Sequence, residues 1–383
     1  MNRIYLDHAA STPMHPRVAE AMMNVMTGQY GNPSSIHAFG REAKRTVSGA
    51  RDVIATYLGC NPDELVFTGG GTESDNLAIF GAVAARAEKG KHVITTAIEH
   101  HAVLHSCQEL ERRGYEVTYL PVDESGRIKL EELREAIRPD TVLITMMYAN
   151  NEVGTIQPIH EVGELARQHD ILFHTDAVQA LGSQPISCRD LPVDLISFSA
   201  HKINGPQGVG ALYVRRGITV EARSHGGLQE RQRRAGTENI AGIAGFAEAV
   251  KRISEEGNEH LQHALELRKL LLEQLAIHVG AEHFHVNGHE EYTLPNILNI
   301  SFPEVSTETM LMNLDMEGIA VASGSACTSG SLEVSHVLKA MNLPEAFLQS
   351  AIRFSWGLGN TTKEIITTAE KIGTILERLR NRP

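Results

Sequence analysis

Cysteine is scarce in this sequence and never closely spaced. Cys60, Cys107, Cys188 and Cys327 are the only four, and none falls in a CxxC pattern, so neither a disulfide framework nor a zinc site is suggested. Positive charge is short as well: 35 Lys and Arg stand against 47 Asp and Glu, a formal net charge of -12. That balance disfavours direct binding to nucleic acid or to an anionic membrane. The one basic cluster, Arg231, Arg233 and Arg234, reads as a solvated or subunit-contact segment. No apolar run approaches a membrane span, and Met1-Asn2-Arg3 leads into a strand-like Ile4-Tyr5-Leu6 instead of a signal peptide, so a cytoplasmic location is expected. Tandem repeats and low-complexity tracts are absent. His101 and His105 stand at i, i+4, yet no HExxH glutamate or cysteine accompanies them, and no metal is expected there.

What the sequence does have is length and apolar content. At 383 residues and 42% hydrophobic it exceeds what one core usually holds, which predicts two domains. Helix-like patterns at 16–26 and 40–58 come first. Strand-like runs at 65–68, 92–96, 117–121, 142–148, 171–175, 195–199 and 209–214 then alternate with helix-like stretches at 73–87, 102–113, 130–137 and 159–169. Apolar strands alternating with helices predict an α/β fold whose mostly parallel, seven-stranded sheet is covered on both faces. Ligands of such sheets bind beyond the strand C-termini. A long helical pattern after Asn239 is predicted to break near Gly257. The boundary is placed there, with a large domain over 16–257 and a smaller α+β domain formed by 258–383 together with 1–15.

Four stretches and one arginine carry chemistry. Ser197-Phe198-Ser199-Ala200-His201-Lys202 is an apolar run that stops on a lysine and passes into Ile203-Asn204-Gly205-Pro206-Gln207-Gly208. A lysine held at a buried strand end can be desolvated, which suits its amine to anchor a cofactor covalently; taken alone, such a lysine more often points at water. Thr68-Gly69-Gly70-Gly71-Thr72-Glu73-Ser74-Asp75 joins a strand end to a helix start, with Thr72 and Asp75 at capping-box spacing. Glycine amides at a helix N-terminus suit a phosphate, and a plain strand-to-helix turn accounts for the same residues. Asp176 follows another strand, where it either caps the next segment or pairs with a protonated ring nitrogen. A lysine anchor, a phosphate cradle and a ring-nitrogen partner together point to pyridoxal 5'-phosphate. Cys327 lies in Ser323-Gly324-Ser325-Ala326-Cys327-Thr328-Ser329-Gly330-Ser331, a stretch without large apolar side chains. That setting predicts a mobile, accessible thiol, unlike Cys60, Cys107 and Cys188. Arg353 interrupts an apolar strand and suits either bidentate capture of a substrate carboxylate or a buried ion pair.

Together these motifs resemble the cysteine desulfurases of the NifS and IscS type, class V aminotransferases within the fold-type I pyridoxal-phosphate enzymes. The resemblance runs from Tyr5-Leu6-Asp7 to Arg353-Phe354-Ser355 and is most specific at Ser199-Ala200-His201-Lys202 and Ser323-Gly324-Ser325-Ala326-Cys327-Thr328-Ser329. It implies that Lys202 forms the Schiff base with the cofactor, Asp176 pairs with the pyridine nitrogen and Gln179 contacts the ring hydroxyl. His100 would stack on the ring and shuttle protons. Gly71, Thr72, Ser199 and His201 would hold the phosphate, joined by Thr237 from the partner subunit of a homodimer, with Asn151 near cofactor and substrate. The implied reaction converts L-cysteine to L-alanine: Arg353 binds the carboxylate, and the Cys327 thiolate takes the sulfur as a persulfide. The loop at about 323–331 then carries it to an acceptor protein, either an iron-sulfur scaffold or a tRNA thiouridylase. Three positions depart from the family pattern. Val334 stands where many relatives have proline, Trp356 where a smaller apolar residue is common, and the chain ends at Pro383 without the longer tail that housekeeping members use toward a scaffold. The competing enzyme readings are a selenocysteine lyase and a class V aminotransferase, which share the fold and Lys202; transamination needs no loop thiol. A non-catalytic scaffold protein binding a metal or ligand, with the histidine cluster as its site, is the alternative outside enzymes.

Overall fold

A computed structural model describes residues 3–324 and 334–380. The chain opens with strand β1 (Ile4–Tyr5) and helices α1 (Pro16–Gly28) and α2 (Ala38–Leu58). The alternating stretch follows: β2 (Leu65–Thr68), α3 (Gly71–Ala85), β3 (His92–Thr96), α4 (His101–Arg112), β4 (Glu116–Leu120), α5 (Leu130–Ala136), β5 (Thr141–Met147), α6 (Ile159–Gln168), β6 (Leu172–Asp176), β7 (Leu195–Ser199) and β8 (Gly210–Val214). Strands β2 to β8 make one seven-stranded sheet in the order β2-β8-β7-β6-β5-β3-β4. Its neighbouring pairs are parallel except those made by β8, which runs against both β2 and β7. The expected mostly parallel sheet is therefore present.

Successive residues of a strand turn to opposite faces, and both faces here are covered, which is why the strands read as nearly unbroken apolar runs. Leu65, Phe67, Ile144, Phe173, Ile196 and Tyr213 pack with α2 and α6 on one face. Val66, Leu143, Leu172, Leu195 and Leu212 pack with α3 and α4 on the other.

After the sheet comes α7 (Ile240–His278), a single helix of 39 residues. The break expected near Gly257 is absent. A Cβ at Gly257 would meet nothing within 4 Å, so the glycine costs only its propensity, about 1 kcal/mol, and the helix carries through. Ile243, Phe246 and Val250 of its first half join the sheet core, while Ala264, Leu267, Leu271 and Leu275 of its second half join a separate core. That second core is completed by β9 (His285–Asn287), β10 (Ile297–Ser301), α8 (Thr307–Met316), β11 (Ile319–Ala320), β12 (Ala351–Ser355) and α11 (Thr362–Arg380), whereas the short helices α9 (His336–Ala340) and α10 (Glu345–Leu348) pack back against the sheet core through Val337, Leu338 and Leu348. Strands β12-β10-β9 form an antiparallel sheet, and β1 pairs in parallel with β11, tying the start of the chain to its last third. The unexpected strand β9 is three residues long, too short to carry a pattern. Trp356 is buried in this core and donates its indole N–H to Ala264 O at 3.0 Å, so the larger ring at this position is satisfied. Among the described residues, no helix is long and apolar enough to cross a membrane.

Candidate active site

The C-terminal ends of β5, β6 and β7, with the segments after β2 and β3, enclose a cavity of about 380 Å³. Gly71, Thr72, His100, Asn151, Asp176, Gln179, Ser199, His201, Lys202 and Arg353 all line it. Thr237 does not, and Cys327 lies outside the described residues.

Lys202 is carried by a single 3-10 turn, Ala200–Lys202, that follows directly on β7. Its Nζ donates to the carbonyl oxygens of Ala9 and Ala10, the latter at 2.9 Å. The same N-terminal segment is held down by Thr12, whose Oγ1 donates to His201 O at 2.8 Å and accepts from the Asn204 amide at 2.9 Å. Gln179 Nε2 adds a bond to Ala9 O at 2.8 Å. This N-terminal stretch thus roofs the cavity, and no local pattern marks two alanine carbonyls for that task.

Asp176 ends β6 and does two things at once. Its Oδ1 accepts from the Val178 amide at 2.9 Å, as a capping aspartate would, while the side chain lines the cavity. Burial pushes its pKa up to about 6, against the opposing pull of that amide and of the Lys202 charge. The capping box expected of Thr72 and Asp75 does not form: α3 starts at Gly71, its N-cap is Gly70, and no side chain caps it. Asp75 is instead 1% exposed in the interior. Burial, and then the Asp176 charge, drive its carboxyl well above the ordinary range. His174 Nε2 stands 3.6 Å from Asp75 Oδ1. Burial holds that ring down at about 3, so it is neutral, bonded to Thr145 Oγ1 at 2.8 Å and Ser197 Oγ at 2.9 Å. Polar atoms of Asp75, Asp176 and His100 lie within 4.8 Å of one another. Two buried carboxyls with neutral histidines around them make a place for one added positive charge, and a protonated ring nitrogen fits it.

The phosphate cradle fits equally well. Gly70 has a φ of 149°, which favours glycine, and a Cβ on Gly210 of β8 would lie 2.8 Å from Gly70 Cα. Gly69, Gly70 and Gly71 open onto one hollow with Thr72, Ser199 and His201. With no side-chain cap, the first amides of α3 face that hollow as anion donors. Glu73, the acidic residue of the first turn, is neutralised by Arg234 at 2.7 Å. His100 accepts from the Ala102 amide on Nδ1 at 3.1 Å, which assigns the proton of the neutral ring to Nε2. Burial, then the Lys202 charge, lowers both His100 and His201 to about 4.

Arg353 sits in β12 and is buried. Its Nη2 donates to Asp7 Oδ1 at 2.8 Å and its Nη1 to Asn151 O at 3.0 Å, while Nε has no partner among the described residues. The buried ion pair is therefore present, and one guanidinium N–H is left without a partner among the described residues. Of the other cysteines, burial pushes Cys107 up to about 12, and a hydrogen bond with Cys60, then burial, raises Cys188. Both shifts favour the protonated thiol at neutral pH. The rings of His101 and His105 are stacked, 5.0 Å apart and 10° from parallel, and among the described residues they belong to no group of three close potential metal ligands. Sequence reasoning missed Asp7, Asp75, Glu99 and Glu152. Asp75 had been visible only as a capping residue, and Glu152 only as the neighbour of Asn151. Glu99 is fully buried, and its pKa is pushed by burial to about 8.

Comparison with known proteins places this geometry. Residues 4–367 match the family described as Aminotransferase class-V. IscS 1 of Bacillus subtilis (strain 168) is 51% identical over 380 residues, covering 99% of this chain and 100% of that one. The cysteine desulfurase IscS of Dictyoglomus turgidum is 47% identical over 377 residues, covering 98% and 95%. A solved NifS-like protein superposes with a TM-score of 0.92 at 39% identity, over 98% of this chain and all of that one. The chain belongs to the class V aminotransferase family, in its branch of IscS and NifS-like cysteine desulfurases.

Proposed function

We propose that this protein is a pyridoxal 5'-phosphate-dependent cysteine desulfurase that takes sulfur from L-cysteine onto Cys327 and releases L-alanine. The observation that carries the reading is the place of Gly324, which lines the same cavity as Lys202, Asp176 and Arg353. Cys327 is three residues further on, so its Cα lies within about 11 Å of Gly324 Cα by chain length alone. A transaminase needs no thiol at that distance.

Lys202 would anchor the cofactor, Asp176 with Asp75 beneath it would face the ring nitrogen, Gln179 the ring hydroxyl, and Gly71, Thr72, Ser199 and His201 the phosphate. When bound, the cofactor supplies an electron sink for bond changes at the substrate carbons. Arg353 receives the substrate carboxylate and fixes the orientation of the amino acid. Lys202 Nζ moves the proton at the substrate Cα. His100, neutral and with its proton on Nε2, is placed to pass a proton to or from the cavity. The Cys327 thiolate attacks the substrate sulfur: an S–S bond forms, the C–S bond breaks, the electron pair stays with Cβ, and that carbon takes a proton to give alanine. The outer sulfur of the persulfide then passes to a thiolate of an acceptor protein.

The two cores are read as two domains, 16–257 and 258–383 with 1–15. Exposed Met23, Met26, Tyr30, Ile36, Phe39 and Leu228 support a homodimer, in which Thr237 serves the partner's cradle. The experiment is a visible spectrum of the purified protein before and after L-cysteine, with alanine assayed in the same tube. A yellow band that shifts as alanine appears is the expected result. A protein that stays colourless after incubation with pyridoxal phosphate and makes no alanine refutes the proposal.

A further inference from the structure

Glu152 stands in the loop after β5 and is only 2% exposed, yet the chemistry above gives it no part. Its carboxylate meets the chain on both sides of residues 325–333. On one side Ser335 Oγ donates to Glu152 Oε2 at 2.5 Å and accepts from the amides of Val337 and Leu338 at 3.1 and 3.3 Å. A hydroxyl has one proton, and both amides need its oxygen as acceptor, so that proton goes to Glu152. On the other side, a Cβ on Gly324 would lie 1.7 Å from the same Oε2, because the carboxylate fills the space over that glycine. Glu152 is itself fixed: its amide donates to Asn150 Oδ1 at 2.8 Å, and its carbonyl accepts from Asn299 Nδ2 at 3.3 Å.

We infer that Glu152 is a positioning residue that pins both stems of the 325–333 segment to the cavity wall, fixing the points from which Cys327 reaches the substrate. The inference rests on the reading of Cys327 as the sulfur-accepting thiol. Attack on a bound sulfur needs the two atoms brought to near contact, and a displacement of about 1 Å at a supporting residue can cost about a hundredfold in rate. A stem freed from Glu152 shifts the starting point of the thiol without touching the cofactor cradle.

The test uses the holoenzyme carrying Glu152→Ala, Gly324→Ala, both together, or Glu152→Gln. First-turnover persulfide on Cys327 is measured by mass spectrometry after rapid quench with L-cysteine, and cofactor absorbance before mixing reports on the cavity floor. Each single alanine is expected to slow persulfide formation about tenfold, and the double variant to be faster than Gly324→Ala alone, since the new methyl then fills the space the carboxylate left. Glu152→Gln keeps an acceptor for Ser335 and is expected within about threefold of the parent. Ser335→Ala removes the bond to Glu152 together with the cap on the Val337 and Leu338 amides, so it should slow persulfide formation at least as much as Glu152→Ala, for which it substitutes if the latter does not fold. Single losses that multiply in the double variant, or a glutamine as slow as the alanine, overturn the clasp and leave the desulfurase reading intact. A parent protein that forms no persulfide on Cys327 overturns both.

Discussion

Replacing Arg353 by lysine keeps a positive charge in β12 but removes the planar fork. In the structure two of the three guanidinium nitrogens are already committed, Nη2 to Asp7 and Nη1 to the Asn151 carbonyl, and Nε is the one without a partner among the described residues. A single ammonium cannot hold those two acceptors and a substrate carboxylate in one plane. The loss is therefore one charge-assisted hydrogen bond, about 1.5–3 kcal/mol, or roughly 10- to 150-fold in kcat/KM for L-cysteine. Cysteamine separates this from a general distortion, because it has the amine and thiol of cysteine without the carboxylate. Its binding, followed by the change in cofactor absorbance, should be within about twofold in parent and variant. An R353K enzyme with parental kcat/KM for cysteine would refute the assignment. So would equal losses for cysteine and cysteamine, which would make Arg353 a structural ion pair only.

Cys327→Ser should keep the cofactor band and its shift with L-cysteine yet lose persulfide formation, and retained sulfur transfer would remove Cys327 from the reaction. Gly210→Ala places a methyl against Gly70 Cα at 2.8 Å and Phe198 O at 2.5 Å. Overpacking of that kind costs about 1–3 kcal/mol and here displaces the phosphate cradle, so the variant should release cofactor on dialysis about ten times faster than the parent. His100→Gln tests the buried neutral ring. The unfolded chain protonates this histidine below pH 6.5 and the folded protein only near 4, so the parent loses about 3 kcal/mol through this group as pH falls across that window. Denaturant unfolding of the apoprotein at pH 7 and pH 4.5 should show the variant less pH-sensitive, and identical profiles would place the His100 ring in solvent.

How much of this was legible in the sequence depended on range. Strands β2, β3 and β7 begin and end where their apolar runs do, because burial on both faces writes itself into consecutive residues. Lys202, Asp176 and Thr72 were legible because each sits at a strand end or helix start, places that sequence can mark. Asp75 was misread for the same reason: its capping spacing is a local signal, whereas its burial beside Asp176 is set by how α3 packs on the sheet. The partner of Arg353 was beyond reach, since Asp7 lies 346 residues away and no spacing rule links them. Gly257 misled in the opposite direction. A glycine within a helix looks like a breaker in sequence, but the stretches on either side of this half-buried one are held by two different cores.

The arrangement divides the work between the two cores. The groups proposed to hold the cofactor, among them Asp176, Ser199, His201 and Lys202, stand at or directly beyond the ends of adjacent strands in one hydrogen-bonded sheet, and their mutual distances are as stiff as the sheet. Arg353 belongs to the other sheet, and Gly324 follows shortly on β11. The two sets meet through the roofing segment: Asp7 holds Arg353, while Ala9 and Ala10 hold Lys202, within four residues of chain. A shift of the second core would therefore be felt at Arg353 and at the Gly324 stem of the cysteine segment, while Ser335, which leads into α9 on the sheet core, and the spacing from Lys202 to Asp176 stay unchanged. Cofactor retention and sulfur transfer should for that reason be separable by mutation, which a site built on one rigid element could not allow.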